Sequence, residues 1–142
     1  LQDSPETARY GWSHCLTLPL GVLGLGEHEA DPTEALAVAA TYVLAFRATQ
    51  GTVPIDPSWT PSRDSRSLVS EIWFAPPDIL PTLQTTLCGY AATHRDAHLT
   101  KYVEACIRAS ALDPDVGPLY LAAAAKLCEV WGGPGSWAGT VG

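Results

Sequence analysis

Apolar residues recur along this chain at helical spacing, and no stretch alternates as a half-buried strand would. From Pro5 to about Leu25 the pattern puts Trp12, Cys15, Leu16, Pro19, Leu20 and Leu23 near one face of a helix disturbed at Pro19. Gly21, Gly24 and Gly26 weaken its end, and Glu27-His28-Glu29 reads as a surface turn. Asp31-Pro32-Thr33-Glu34 then supplies an N-cap carboxylate, a proline at the first helical position and a glutamate three residues on. The helix it starts runs to about Gln50, with Gly51 as the residue beyond its end. That helix is apolar almost all round, which predicts the central helix of a bundle.

Residues 51 to 66 carry Pro54, Pro57 and Pro61 among aspartates and serines, and predict a long ordered loop anchored by Trp59. A short helix from Ser67 to Phe74 is stopped by Pro76-Pro77. Another runs from Asp78 to roughly Ala92. Thr93-His94-Arg95-Asp96 then reads as a capping box with aspartate in place of glutamate, breaking what would otherwise be an overlong helix. The next helix extends to about Leu112. Asp113-Pro114-Asp115 and Gly117-Pro118 mark a turn, and Leu119 to Trp131 is the last helix before Gly132-Gly133-Pro134-Gly135. The expected fold is all-α: an irregular bundle of five to six helices with one long ordered loop, its alanines permitting close helix approach.

Composition narrows the classes of function. The 142 residues make one ordinary domain, and 46% hydrophobic against 16% charged residues is a globular balance. A net charge of −7, with Lys101 and Lys126 as the sole lysines, excludes a phosphate-neutralising nucleic-acid surface and disfavours an anionic membrane. The longest apolar run, Ala35 to Phe46, is 12 residues interrupted by Thr41, short of the roughly 20 that a bilayer requires. Cys15, Cys88, Cys106 and Cys128 include no CxxC pair. They read as small buried hydrophobes in a reducing cytoplasm, which sets the expected location. The chain has no methionine and begins at Leu1, so the single domain expected over residues 1–142 reads as a fragment of a longer chain, a processed product or an excised piece.

Candidate chemistry concentrates after Thr93. On a helical wheel Leu99, Val103, Cys106 and Ile107 form an apolar face edged by Tyr102 and Ala109, opposite Thr100, Lys101, Glu104 and Arg108. His94 and His98 lie about 40° apart at the boundary of the two faces. Helical His-x-x-x-His pairs can ligate a metal, but no glutamate follows the first histidine and no third ligand is nearby. Placed in the first turns of a helix, both imidazoles meet a partial positive charge that opposes a cation. No metal site is expected. A structural or surface role ranks first for them, an acid–base or substrate-orienting role second. His14 adjoins Cys15, but neighbours on a helix point about 100° apart and form no dyad with each other. Arg47, near the end of the most apolar helix, either snorkels or meets an anion.

The segments Tyr10-Gly-Trp-Ser-His-Cys-Leu-Thr-Leu-Pro19 and Thr93-His-Arg-Asp-Ala-His-Leu-Thr-Lys-Tyr-Val-Glu-Ala-Cys106, with Leu119-Tyr-Leu-Ala-Ala-Ala-Ala125, are similar to the C-terminal region of bacterial questin-oxidase-like proteins. The resemblance covers about half of the chain in patches. It implies a Baeyer–Villiger-type oxygenase that uses NADPH on an apolar or aromatic ketone, and NADPH is implied by the resemblance alone. His14, His94 and His98 become catalytic candidates by position, with Tyr102 as a further hydrogen-bond donor. This reading expects the three histidines to converge on one apolar cavity holding a small apolar molecule. The alternative is a non-catalytic helical domain for association or ligand binding, as a homo-oligomer or with the remainder of a longer chain, through an exposed apolar patch.

Overall fold

The computed structural model describes residues 1–2, 9–28, 31–49 and 55–132. Six α-helices occur among them and no strand: α1 (Arg9–Gly26), α2 (Thr33–Thr49), α3 (Leu68–Trp73), α4 (Leu80–Thr93), α5 (Ala97–Leu112) and α6 (Gly117–Gly132), with a single 3-10 turn at Pro114–Val116. The fold is all-α, as the apolar periodicity predicts. The helices divide between two compact units, Gln2–Pro57 and Ser58–Gly142 together with Leu1. No described helix is long and apolar enough to cross a membrane.

The Gln2–Pro57 unit is a hairpin of α1 packed on α2. Helix α1 runs through Pro19, which lies inside it, and continues to Gly26. At Gly26 a Cβ atom would lie 2.9 Å from the Pro32 Cβ, so the tight reversal requires glycine there. Asp31 carries the predicted cap of α2: its Oδ1 accepts the Thr33 amide at 3.0 Å and the Thr33 hydroxyl. The predicted end of α2 at Gln50 and Gly51 lies outside the described residues, as do Pro5, Glu29, Pro54 and the tail from Gly133.

Two expectations for this hairpin are corrected. Leu23, assigned to the inward face of α1, is exposed, whereas Ser13, Leu20 and Val22 are buried. The predicted central helix, α2, buries Ala39 and leaves Leu36, Val38 and Leu44 exposed. A helix that is apolar almost all round, as α2 is, carries no periodic signal of which side turns inward, and the second error has that origin.

In the Ser58–Gly142 unit the central element is α6, which packs against α3, α4 and α5. Ile72, Leu87, Leu99, Val103, Cys106 and Cys128 are its largest fully buried side chains. Ala105, Ala109, Ala122, Ala124 and Ala125 are buried among them, and such small side chains let helix backbones approach closely. Helix α3 starts at Ser67, whose Oγ accepts the Ser70 amide at 3.1 Å, while Glu129 of α6 takes the Leu68 amide at 2.7 Å. Trp59 anchors the preceding loop, its ring edge-on to Trp73 with centroids 5.8 Å apart. Thr100 of α5 donates to the Ala91 carbonyl of α4 at 2.8 Å and ties the two helices at their junction. Cys106 and Cys128 are buried as expected, but Cys88 is exposed. Leu87 and Ala91 are the inward residues of α4, and Cys88 stands about 100° from Leu87 on that helix.

Candidate functional site

The α4–α5 junction brings His94 and His98 together around Asp96, but not as residues of one helix. His94 is the C-cap of α4, with extended φ −74° and ψ 144°, and α5 begins at Ala97 with Asp96 as its N-cap. The predicted cap, Thr93, instead turns its hydroxyl back to the Gly89 and Tyr90 carbonyls, both at 3.1 Å. The positive-end argument made for both histidines therefore applies to His98 alone, since His94 stands at the opposite end of a helix.

The two imidazoles are held in opposite senses. Nδ1 of His94 accepts the Asp96 backbone N–H at 3.1 Å. In the neutral ring that contact puts the proton on Nε2 and makes it a donor. Asp96 Oδ1 accepts the His98 backbone N–H at 2.9 Å and lies 2.9 Å from His98 Nδ1. With Nδ1–H donating to the carboxylate, the Nε2 of neutral His98 is the acceptor nitrogen of the ring. One carboxylate thus caps α5 and orients its first-turn histidine.

Their surroundings also differ. His94 is half-buried beside two rings, 5.7 Å from Tyr90 and 6.3 Å from Trp131, the latter nearly parallel at 17°. The His98 side chain is 47% exposed. Tyr102 is half-buried, and its hydroxyl is hydrogen-bonded to the Cys106 side chain on the inward side of α5. His14 belongs to the Gln2–Pro57 unit, where its ring is tilted at 55° to Tyr42, 6.4 Å away. In the same hairpin Trp12 meets Phe46 edge-on at 5.1 Å.

Sequence reasoning missed Asp96 as the orienting group and Tyr90 and Trp131 as the walls beside His94. Asp96 stands two residues before His98, the position from which an N-cap reaches the first turn, and that signal was legible. Tyr90 stands one helical turn before His94, whereas Trp131 is brought in by the packing of α6 on α4. Among the described residues no group of three or more His, Cys, Asp and Glu side chains converges as a metal site would require.

No protein family, characterised protein or solved structure matches the chain.

Proposed function

We propose that the chain is a helical domain of a questin-oxidase-like oxygenase acting on an apolar or aromatic ketone. The observation that carries the reading is His94 with the Tyr90 and Trp131 rings 5.7 Å and 6.3 Å from its own and its Nδ1 occupied by the Asp96 amide. An Nε2–H donor flanked by aromatic rings suits the carbonyl oxygen of a flat, apolar substrate. His98, oriented by Asp96, supplies the complementary acceptor for an acidic hydroxyl proton. The overall conversion takes ketone, O₂, NADPH and a proton to ester, NADP⁺ and water. NADPH enters this reading through the resemblance alone. No step is therefore routed through the nicotinamide.

The test is oxygen uptake by the protein with NADPH and a panel of polycyclic aromatic ketones, with mass spectrometry for a product one oxygen atom heavier. Ketone-dependent uptake is expected, and His94→Phe should lower its rate by about 10² or more, the usual scale for a positioned proton donor. Uptake indifferent to the ketone, or a His94→Phe variant as fast as the parent, overturns the assignment.

A second reading, helical association, is favoured by the exposed Leu36, Val38 and Leu44 of α2. Light scattering would then give a mass above that of one chain, and a monomer at high concentration rejects it.

A further inference from the structure

The strongest unassigned feature is a half-open hollow of about 280 Å³ in the Ser58–Gly142 unit, where the loop before α3 lies along α6. Its walls include Trp59, Ser65, Ser67, Ser70, Lys126 and Glu129.

Most of the polar atoms around it are already engaged with one another. The Ser62 carbonyl accepts the Ser65 amide at 3.2 Å and the Ser70 hydroxyl at 3.0 Å. The Ser67 and Ser70 hydroxyls are 3.0 Å apart, and Glu129 Oε1 is held by the Leu68 amide. These bonds make a wall of fixed geometry. The Lys126 ammonium and the Ser65 hydroxyl on it have no partner among the described residues. Lys126 is half-buried on the central helix of its unit, in a chain whose net charge is −7. Acidic partners for a lysine are therefore plentiful, yet this one makes no ion pair with a described residue. Trp59 adds an aromatic side chain to the same lining.

We infer that this hollow binds a small aromatic carboxylate, its anion on Lys126 and Ser65 and its ring against Trp59. Three features of the wall select that class. An ammonium with no partner among the described residues calls for an anion, and a hydroxyl donor on the same wall suits a carboxylate oxygen. The indole calls for a flat apolar body. The volume falls just below the roughly 300–1,000 Å³ of pockets for drug-sized ligands, which limits the occupant to a single ring with its acid group. The opposing Glu129 charge disfavours a dianion, because its carboxylate shares the wall. A half-open site with one ion pair gives a Kd on the order of millimolar. This assignment is independent of the chemistry argued for His94 and His98.

The experiment is a ¹H–¹⁵N titration of the whole chain with benzoate, followed at the Trp59 indole N–H. A saturable shift of that signal is expected, and benzamide, the neutral analogue of the same shape, should produce none. Lys126→Met keeps the aliphatic stem and removes the charge. It should weaken benzoate by about tenfold, the scale of one charge-assisted hydrogen bond, with the rest of the spectrum unchanged. Lys126→Arg should restore most of the affinity. Equal binding of benzamide, an undiminished Lys126→Met variant, or no saturable indole shift overturns the inference. So does inorganic phosphate competing as well as benzoate, because the hollow would then take any anion.

Discussion

Raising the pH should destabilise this protein through two thiols that its core cannot accept as anions. Cys106 on α5 and Cys128 on α6 are both fully buried. Burial pushes each thiol up from 9.0 to about 12; the Tyr102 hydroxyl opposes the shift at Cys106, and the Glu129 charge adds to it at Cys128. Because the folded pKa lies above the unfolded one, the stability carried by the neutral thiols is complete below about pH 9. It is lost as the pH rises from there toward about 12. At about pH 10.5 an unfolded thiol is ionised by roughly 1.5 pH units, worth roughly 2 kcal/mol per group and roughly 4 kcal/mol for the pair. That is a large share of the 5–15 kcal/mol typical of a domain. Urea midpoints measured under reducing conditions near pH 8 and pH 10.5 give the loss directly. The Cys106→Ala/Cys128→Ala variant starts less stable, because it leaves cavities, but should lose roughly 4 kcal/mol less over the same interval. Equal losses in the parent and the double variant refute the reasoning, since other groups would then carry the alkaline transition.

Three further outcomes follow from packing. Leu99→Ala empties a fully buried site on α5 and should cost about 2–5 kcal/mol, read as a lower urea midpoint with an unchanged slope. Ala124→Leu forces a larger side chain into the buried surface of α6 and should cost about 1–3 kcal/mol, although it adds apolar area. Leu44→Glu changes a residue of α2 that is 71% exposed, so it should leave the thermal midpoint nearly unchanged. If α2 serves association, the same substitution should convert a larger species to a monomer in light scattering.

The fold class and most element boundaries were legible because punctuation and periodicity agreed. Asp31 caps α2, Ser67 caps α3, and the Asp113–Gly117 turn separates α5 from α6. The amphipathic face predicted for α5 is the one that buries Leu99, Val103 and Cys106. The failures arose where local chemistry was degenerate. Thr93 and Asp96 are both competent caps, and the choice fell to Asp96 because Thr93 completes the last turn of α4 while Thr100 bonds the Ala91 carbonyl. Helix α2 is so uniformly apolar that burial and exposure predict the same sequence. At the candidate site, His94 and His98 were visible as residues, but their donor and acceptor senses were not. Those senses depend on a backbone amide and a carboxylate placed by the break itself.

That dependence separates the two roles of Asp96, and Asp96→Asn tests the separation. As an N-cap, asparagine is nearly equivalent to aspartate, because its side-chain oxygen still accepts the His98 amide. The stability of α5 should therefore change by only a few tenths of a kcal/mol, with a further small loss from the helix positive end. As a partner for the imidazole, the amide is a poor substitute: it bears no charge to hold a proton on His98 Nδ1. The His94 contact uses the backbone N–H of residue 96 and survives the substitution intact. Ring ¹⁵N shifts near neutral pH should accordingly show His94 remaining in the Nε2–H form while His98 redistributes from Nδ1–H toward the mixture of a free imidazole. Under the oxygenase reading the rate should fall with His98 although the fold is intact, whereas Asp96→Ala should lose about 1 kcal/mol of stability as well. Unchanged His98 shifts in Asp96→Asn would mean that the carboxylate does not set the tautomer, and would remove the acceptor role assigned to that ring.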